Sequence, residues 1–293
     1  MSTADLFKKA KKIEIASRRL VEEQLAGQYE SIFKGRGLVF SDVRPYTPGD
    51  DVRAIDWNVS ARMGAPHIKQ FTEERDRTVN LMIDMSASHA FGSRHASKRE
   101  LTAELAAVVA FSAIQNHDRV GLFIVTDRVE RFVPAKKGRR HVLRVISEIL
   151  TFQPQSRQTD LAAGLEFLGK ISRRRSVVFL LSDFLTPGWD RAMRITARRH
   201  DVVPVVVEDP LERELPPVGL VQLEDLETGE VIEVDASGRS GERFRARAKE
   251  HAAARDLALR RMNLETVAVR TDAPYVDALV AFFRARARRR HHG

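Results

Sequence analysis

The chain has 293 residues, of which 43% are hydrophobic and 30% are charged, and its net charge is +9 at pH 7. That much apolar material can build a substantial core, so the composition excludes an intrinsically disordered chain. The sequence has no cysteine, which excludes disulfides, thiolate zinc sites and iron–sulfur clusters. No apolar stretch approaches the roughly 20 residues that a membrane-spanning helix needs. The sequence therefore predicts a cytoplasmic protein with no membrane span.

The positive charge is concentrated at the C-terminus, because five arginines fall within the last ten residues: Arg284, Arg286, Arg288, Arg289 and Arg290. The other basic clusters are scattered, and they are not interleaved with aromatic residues as a single-strand binding surface would be. Solvated basic faces are therefore the favoured interpretation, and nucleic-acid binding through the basic surface is an alternative that the charge permits.

The first 78 residues divide into a helical part and an extended part. Residues 1–37 are predicted to form an N-terminal helical segment, because they carry good helix formers and no proline before Gly35. Residues 38–78 contain short extended segments punctuated by Pro and Gly, which predicts a β-rich preamble. Such a segment is too small for a secure core of its own. We therefore expect it to pack on the main domain, with Trp57 buried and Asp56 hydrogen-bonded.

Residues 79–290 alternate between strand-like runs and amphipathic helices, which is typical of an α/β fold with a doubly wound, mostly parallel sheet. The gap at 126–128 is hairpin-sized, so 129–133 is predicted to be an antiparallel edge strand. A second hairpin is predicted as an insertion at about 218–236, around the turn sequence Glu227-Thr228-Gly229-Glu230. The runs that predict strands are 79–83, 120–126, 129–133, 177–182, 202–207 and 265–269.

The clearest chemical signal follows the apolar run 79–83. Asp84, Ser86 and Ser88 place a carboxylate and two hydroxyls at alternating positions of a short loop. The loop lies at the strand end where open α/β sheets bind ligands. Such hard oxygens suit Mg²⁺ or another hard divalent cation. The alternative for these residues alone is a Ser-rich turn in which Asp84 caps the next helix.

Two later segments favour the metal interpretation. Thr159 or Asp160 lies at the N-terminus of a predicted helix, and Asp183 follows the apolar run 177–182. The ordered set of Asp-x-Ser-x-Ser, a helix-opening Thr and a strand-end Asp resembles the metal-ion-dependent adhesion site of von Willebrand factor type A domains. The resemblance implies a site for Mg²⁺ or Mn²⁺ with five ligand positions: Asp84, Ser86, Ser88, Thr159 and Asp183.

The preamble carries a second resemblance, in the segment 44–57 (RPYTPGDDVRAIDW), in Ser60-Ala61-Arg62 and in Phe71-Thr72-Glu73-Glu74-Arg75. These sequences are similar to the signature of the bacterial family catalogued as Domain of Unknown Function 58, where the segment precedes a von Willebrand A-like domain. The resemblance implies an interaction protein that is a partner or adaptor of a MoxR-type AAA+ ATPase. An open coordination position on Mg²⁺ predicts a partner, the ATPase or its client, that supplies an acidic residue.

An enzyme is not expected from the motifs. The sequence contains no His-Glu-x-x-His motif and no Gly-x-Ser-x-Gly nucleophile elbow. The remaining enzymatic alternative is a Mg²⁺-dependent phosphoester hydrolase that uses Asp84 and Asp183.

Overall fold

The computed structural model describes residues 3–25, 29, 38–73, 77–92 and 97–291. They form two compact units: the smaller contains residues 38–73, and the larger contains the N-terminal helix together with residues 77–291. Within the predicted helical segment 1–37, an α-helix is followed by a single π-helical turn, Val21–Leu25. Residues 26–28 and 30–37 of that prediction lie outside the described part of the chain.

The structure contains the following elements, numbered in chain order. The helices are α1 (Thr3–Leu20), α2 (Trp57–Met63), α3 (Lys98–Gln115), α4 (Arg139–Thr151), α5 (Leu161–Ile171), α6 (Asp190–Arg199), α7 (Pro210–Arg213), α8 (Arg239–Arg261) and α9 (Val276–His291). The strands are β1 (Leu38–Pro45), β2 (His67–Glu73), β3 (Thr78–Asp84), β4 (Arg119–Val125), β5 (Val129–Lys136), β6 (Val177–Ser182), β7 (Asp201–Glu208), β8 (Leu220–Glu224), β9 (Val231–Asp235) and β10 (Val267–Arg270).

Six strands form the central sheet of the larger unit, in the order β10-β7-β6-β3-β4-β5. The pairings from β10 to β4 are parallel, and β5 lies antiparallel to β4 at the edge. β3, β6 and β7 are buried along almost their whole length. Continuous apolar runs suit this burial, because helices cover the faces of a parallel sheet. The predicted α/β class, the mostly parallel sheet and the antiparallel edge strand are confirmed.

The helices bury apolar residues that recur at helical spacing. In α3 these include Leu101, Leu105 and Val108, and in α4 a stripe of Val142, Val145, Ile146 and Ile149 is fully buried. The N-terminal helix is tied to α4 by an ion pair in which Arg139 Nε lies 2.6 Å from Glu14 Oε1. The carboxylate of Glu14 is itself largely buried, so this pair anchors α1 within the larger unit.

The smaller unit is built on the antiparallel pair β1–β2 and the short helix α2. Arg44 binds both carboxylate oxygens of Asp50 at 2.7 Å, which closes the turn around Pro48-Gly49. Asp56 caps α2 by accepting from the backbone N–H groups of Asn58 and Val59, which confirms its predicted hydrogen bonding. The prediction that Trp57 is buried is wrong, since 68% of its surface is exposed. Trp57 is the first residue of α2 and directly follows its cap, Asp56. Packing of the preamble on the main domain stays a prediction.

The predicted insertion near the C-terminus is a hairpin of β8 and β9. Its register pairs Leu220 with Asp235 and Glu224 with Val231, within the predicted bounds of about 218–236. The hairpin is a sheet separate from the central one. It lies between α7 and α8, which follow β7, and so it extends from the same edge of the fold as the carboxyl ends of the parallel strands.

Close packing of α5 on the sheet makes Gly164 a sensitive position. A Cβ atom at Gly164 would lie 2.8 Å from Val125 Cγ2 and 3.0 Å from Cγ1, and Val125 is fully buried. A buried branched side chain has little freedom to move aside. We expect Gly164→Ala to lower the free energy of unfolding by about 1–3 kcal/mol, measured by urea denaturation.

Gly169 of the same helix is the matched control. A Cβ there meets only the far end of Arg199, at 3.8 Å. Because alanine restricts the unfolded chain and favours helix, Gly169→Ala should raise stability by up to about 1 kcal/mol. Equal changes in the two variants would contradict the tight contact at Val125.

Candidate functional site

The candidate site lies where the strand order of the central sheet reverses. β3 pairs with β4 on one side and with β6 on the other. In open α/β sheets, ligands bind outside the carboxyl ends of the strands at such a point. Asp84 ends β3, Asp183 directly follows β6, and both side chains are buried. The Ser182 hydroxyl donates to Asp84 Oδ2 at 2.7 Å and so joins the two strand ends.

The loop after β3 brings its two serines to these carboxylates. The backbone N–H of Ser86 donates to Asp84 Oδ1 at 3.0 Å, and the hydroxyls of Ser86 and Ser88 lie 3.1 Å apart. Ser88 Oγ donates to Asp183 Oδ2 at 3.0 Å. Four of the five predicted ligand residues therefore belong to one hydrogen-bonded cluster. The Asp84 carboxylate accepts hydrogen bonds both from its own loop and from the end of β6. The alternative, in which Asp84 only caps the next helix, does not account for the contact with β6.

The hydroxyl of Thr159, the fifth predicted residue, has a partner outside that hydrogen-bonded cluster, a side chain that the sequence reasoning did not assign to the site. Asp160 is the N-cap of α5 and accepts from the Ala163 N–H at 3.0 Å, which leaves the Thr159 hydroxyl available for another partner. That hydroxyl donates to Glu227 Oε1 at 2.7 Å, and Glu227 lies in the turn between β8 and β9. The loop before Thr159 is tied to the serine loop, because the Ala87 N–H donates to the Arg157 carbonyl at 3.1 Å.

A buried lysine completes the site. Lys98 is fully buried at the start of α3, and its Nζ lies 2.9 Å from Asp183 Oδ2. The same ammonium forms an ion pair with Glu212 of α7. The sequence reasoning missed both residues, because a lysine followed by Arg99 and Glu100 looks like a solvated helix end. One feature of the sequence could have revealed Lys98. A cation in the first turn of a helix lies next to the positive end of the helix dipole, so it needs a negatively charged partner.

The charges of the cluster act strongly on one another. Burial raises the pKa of Asp84, and the negative charge of Asp183 adds to the rise. Burial also opposes ionisation of Asp183, but the charges of Lys98 and His89 and the hydrogen bonds from Lys98 and the Leu185 N–H together hold the pKa of Asp183 below its usual value. For Glu227, burial raises the pKa, and the charges of Asp84 and Asp183 raise it further. Glu227 is therefore an electrostatic neighbour of both strand-end carboxylates.

The chemistry of the donor set fits a hard divalent cation. Asp84, Ser86 and Ser88 present carboxylate and hydroxyl oxygens, and each carboxylate oxygen has more than one lone pair to offer. Within the described ranges, no group of three or more His, Cys, Asp or Glu side chains is arranged to hold a metal. An ion at this site would therefore depend on hydroxyl ligands and water, which is chemistry that suits Mg²⁺ or Mn²⁺ better than zinc.

A cleft of about 350 Å³ opens beside Ser86. Arg99 and Arg157 line it, together with Glu224 of β8 and Leu226 of the hairpin turn. The Arg99 Nη2 atom is buried without a hydrogen-bond partner among the described residues. A carboxylate that enters this cleft would meet cationic side chains close to the Ser86 hydroxyl.

Because Lys98 is buried between two carboxylates, its removal leaves unpaired charge in the interior. We expect Lys98→Met, which keeps the apolar length of the side chain, to lower the free energy of unfolding by about 3–5 kcal/mol. Urea denaturation followed by circular dichroism measures this loss. Lys170→Met is the matched control, since Lys170 is exposed near the end of α5 and its replacement should change stability by less than about 0.5 kcal/mol. Similar unfolding midpoints for the two variants would contradict the buried ion pair.

Comparison with known proteins connects this fold to a family. Residues 42–255 match the family described as "Protein of unknown function DUF58". An uncharacterized protein of Mycobacterium tuberculosis is 34% identical over 279 residues, which cover 94% of this chain and 88% of that protein. The central sheet has the mostly parallel, six-stranded α/β arrangement that the sequence predicted.

Three solved structures are similar at low sequence identity. BatB, a conserved hypothetical protein from Bacteroides thetaiotaomicron, is 14% identical with a TM-score of 0.47, over 72% of this chain and 99% of that chain. An aerotolerance-related membrane protein from Bacteroides fragilis is 12% identical with a TM-score of 0.47, over 73% and 99% of the two chains. The VWA domain of SpRpn10 is 12% identical with a TM-score of 0.38, over 69% and 93%.

The predicted cytoplasmic location is wrong: comparison with solved structures contradicts it, because the neighbour from Bacteroides fragilis is described as a membrane protein. Lack of cysteine and of a long apolar run, which suggested that location, says little about where a folded α/β domain acts. Among the residues that the structure describes, no helix has both the length and the apolar character needed to cross a membrane.

Proposed function

The chain belongs to the DUF58 family, and from this membership and the site at the ends of β3 and β6 we propose that it is a metal-dependent protein-interaction module. The family and the von Willebrand A-like fold suggest a protein-interaction module in general. The proposal adds that binding runs through Mg²⁺ or Mn²⁺ and that the partner contributes an acidic residue.

One observation carries the proposal: the oxygen-bearing side chains of two adjacent strand ends form a single buried cluster. Ser88 bridges the two loops by its contact with Asp183, and Ser182 bridges them by its contact with Asp84. Four carboxylates share this electrostatic neighbourhood with one ammonium, that of Lys98: Asp84, Asp183, Glu212 and Glu227. The surplus of negative charge favours a further cation.

In this proposal Asp84, Ser86, Ser88 and Thr159 hold the ion, and Asp183 contributes negative charge while it stays bound to Lys98. When bound, the ion supplies a positive centre that attracts a carboxylate from another protein. The cleft beside Ser86 supports an acidic partner, because Arg99 and Arg157 line it. The family resemblance implies that the partner is a MoxR-type AAA+ ATPase or its client.

The site offers less support for the two alternatives. For phosphoester hydrolysis, His89 is a poorly placed side-chain base, because its imidazole is buried with Nε2 at 3.2 Å from Thr102 Oγ1, and burial lowers its pKa. For nucleic-acid binding, part of the basic C-terminal helix is already neutralised. Arg286 pairs with Asp201, and Arg289 lies 2.7 Å from Glu265.

Metal binding is expected to stabilise the folded protein. At a concentration 100 times the Kd, Mg²⁺ or Mn²⁺ should add about 2.7 kcal/mol to the free energy of unfolding, because the ion binds only the folded state. Asp84→Ala should abolish the rise in Tm, whereas Asp277→Ala, at the start of α9, should keep it. Differential scanning calorimetry with and without the metal makes the comparison. A wild-type Tm that does not move across millimolar Mg²⁺ and Mn²⁺ would count against the metal site.

Partner binding is expected to depend on the ion. A purified MoxR-type AAA+ ATPase from the same host should bind in Mg²⁺ and dissociate in EDTA, because the contact between ion and carboxylate is buried at the interface. Ser86→Ala and Thr159→Val should each weaken binding at least about tenfold with an unchanged circular dichroism spectrum, since each removes one oxygen ligand. Asp183→Ala is less informative, because it also removes one of the two carboxylate partners of the buried Lys98. Equal affinity in EDTA and in both variants would show that binding uses another surface.

A further inference from the structure

We propose that Glu227 is an internal acidic ligand of the metal site, which the β8–β9 hairpin presents at the position that a partner's carboxylate must take. The inference rests on the proposed function and adds a residue and a mode of regulation to it. The hairpin acts as a cover, and an acidic partner binds by replacing Glu227 at the ion.

The hairpin turn is built to hold Glu227 in one place. Asp225 Oδ1 accepts from the N–H groups of Glu227 and Thr228, at 2.8 and 3.2 Å. The Gly229 N–H donates to the Asp225 carbonyl at 2.6 Å, and Gly229 has a φ of +77°, which glycine adopts without strain. These hydrogen bonds fix the backbone of the turn, and so they restrict the directions that the Glu227 side chain can take. Glu227 is therefore held in place better than a glutamate on a mobile surface loop.

The contact that Glu227 makes is with a predicted metal ligand. Thr159 donates its hydroxyl to Glu227 Oε1 at 2.7 Å, across 68 residues of sequence. Asp84 and Asp183 act electrostatically on the same carboxylate. Lys98 pairs with Asp183, so a third negative charge beside the two strand-end carboxylates is unfavourable unless a further cation lies among them. Glu227 therefore has the chemistry and the position of a ligand.

Apolar burial does little to hold the hairpin itself. Leu220, Val231 and Ile232 are exposed by 76%, 55% and 49% of their surfaces. An element with few buried apolar contacts opens at low cost. The tip contact at Thr159 thus determines whether the hairpin lies over the site, and a stronger acidic ligand from another protein can displace it.

Mn²⁺ is the probe that tests this, because water-proton relaxation reports both its affinity and the number of water molecules on the bound ion. In the full-length protein, Glu227→Gln keeps the size and the hydrogen-bonding ability of the side chain but removes its charge. We expect this variant to bind Mn²⁺ at least about tenfold more weakly than the wild type. The relaxivity of its bound Mn²⁺ should be higher, because water fills the position that the carboxylate leaves.

The matched control is Glu230→Gln, since Glu230 is exposed in the same turn and its replacement should leave both quantities unchanged. A second measurement is hydrogen–deuterium exchange of residues 225–230. Mn²⁺ should slow exchange there in the wild type and in Glu230→Gln, and have no effect in Glu227→Gln.

The outcomes separate this inference from the proposed function. If the wild type binds Mn²⁺ in a way that Asp84→Ala abolishes, but Glu227→Gln matches the wild type in affinity, relaxivity and exchange, the inference is overturned and the metal site stands. If the wild type and all variants fail to bind Mn²⁺, both the metal site and the inference fall.

Discussion

The buried ion pair of Lys98 with Asp183 is the interaction on which the arrangement of the site depends. Lys98 begins α3, Asp183 follows β6, and Glu212, the second partner of the ammonium, lies in α7 after β7. A fully buried ammonium is tolerated only where carboxylates compensate its charge. The ends of these three elements must therefore meet, and the meeting point is the edge of the sheet at which β3 also ends.

The same pair explains how a surplus of acids is held in a folded protein. Lys98 neutralises part of the charge of Asp183, and Ser88 and the Leu185 N–H satisfy further lone pairs of that carboxylate. Among the residues that the structure describes, the hydrogen bonds to the Asp84 carboxylate come from neutral donors, Ser182 and the backbone of Ser86. Under the proposed function, the ammonium is a structural cation and the divalent ion is a functional one. The fold then persists without the metal, and metal or partner binding can be reversible.

The hairpin connects this electrostatic arrangement to recognition. It is an insertion between β7 and β10, outside the central sheet, yet its tip reaches Thr159 on the far side of the strand-order reversal. Burial of apolar residues positions the strands of the sheet, whereas the hairpin tip is held by a hydrogen bond between Thr159 and Glu227. Under the proposed function, an element held in this way would respond to charge at the site, as recognition of an acidic partner requires.

The sequence by itself determined the α/β class, the antiparallel edge strand, the hairpin and the cluster of Asp84, Ser86, Ser88 and Asp183. These features are local: apolar periodicity defines each strand, and residues that follow adjacent parallel strands meet at one edge of the sheet. Only the tertiary structure decided the partners of these residues. Lys98, Glu212 and Glu227 lie at least 14 residues from Asp84 and Asp183 in sequence. A charged residue in a helix or a turn has the same local pattern whether it faces solvent or the interior. Trp57 shows the reverse case, since a large aromatic predicts burial but packing leaves it exposed. Long-range packing chooses which polar side chains are buried together, and no local pattern encodes that choice.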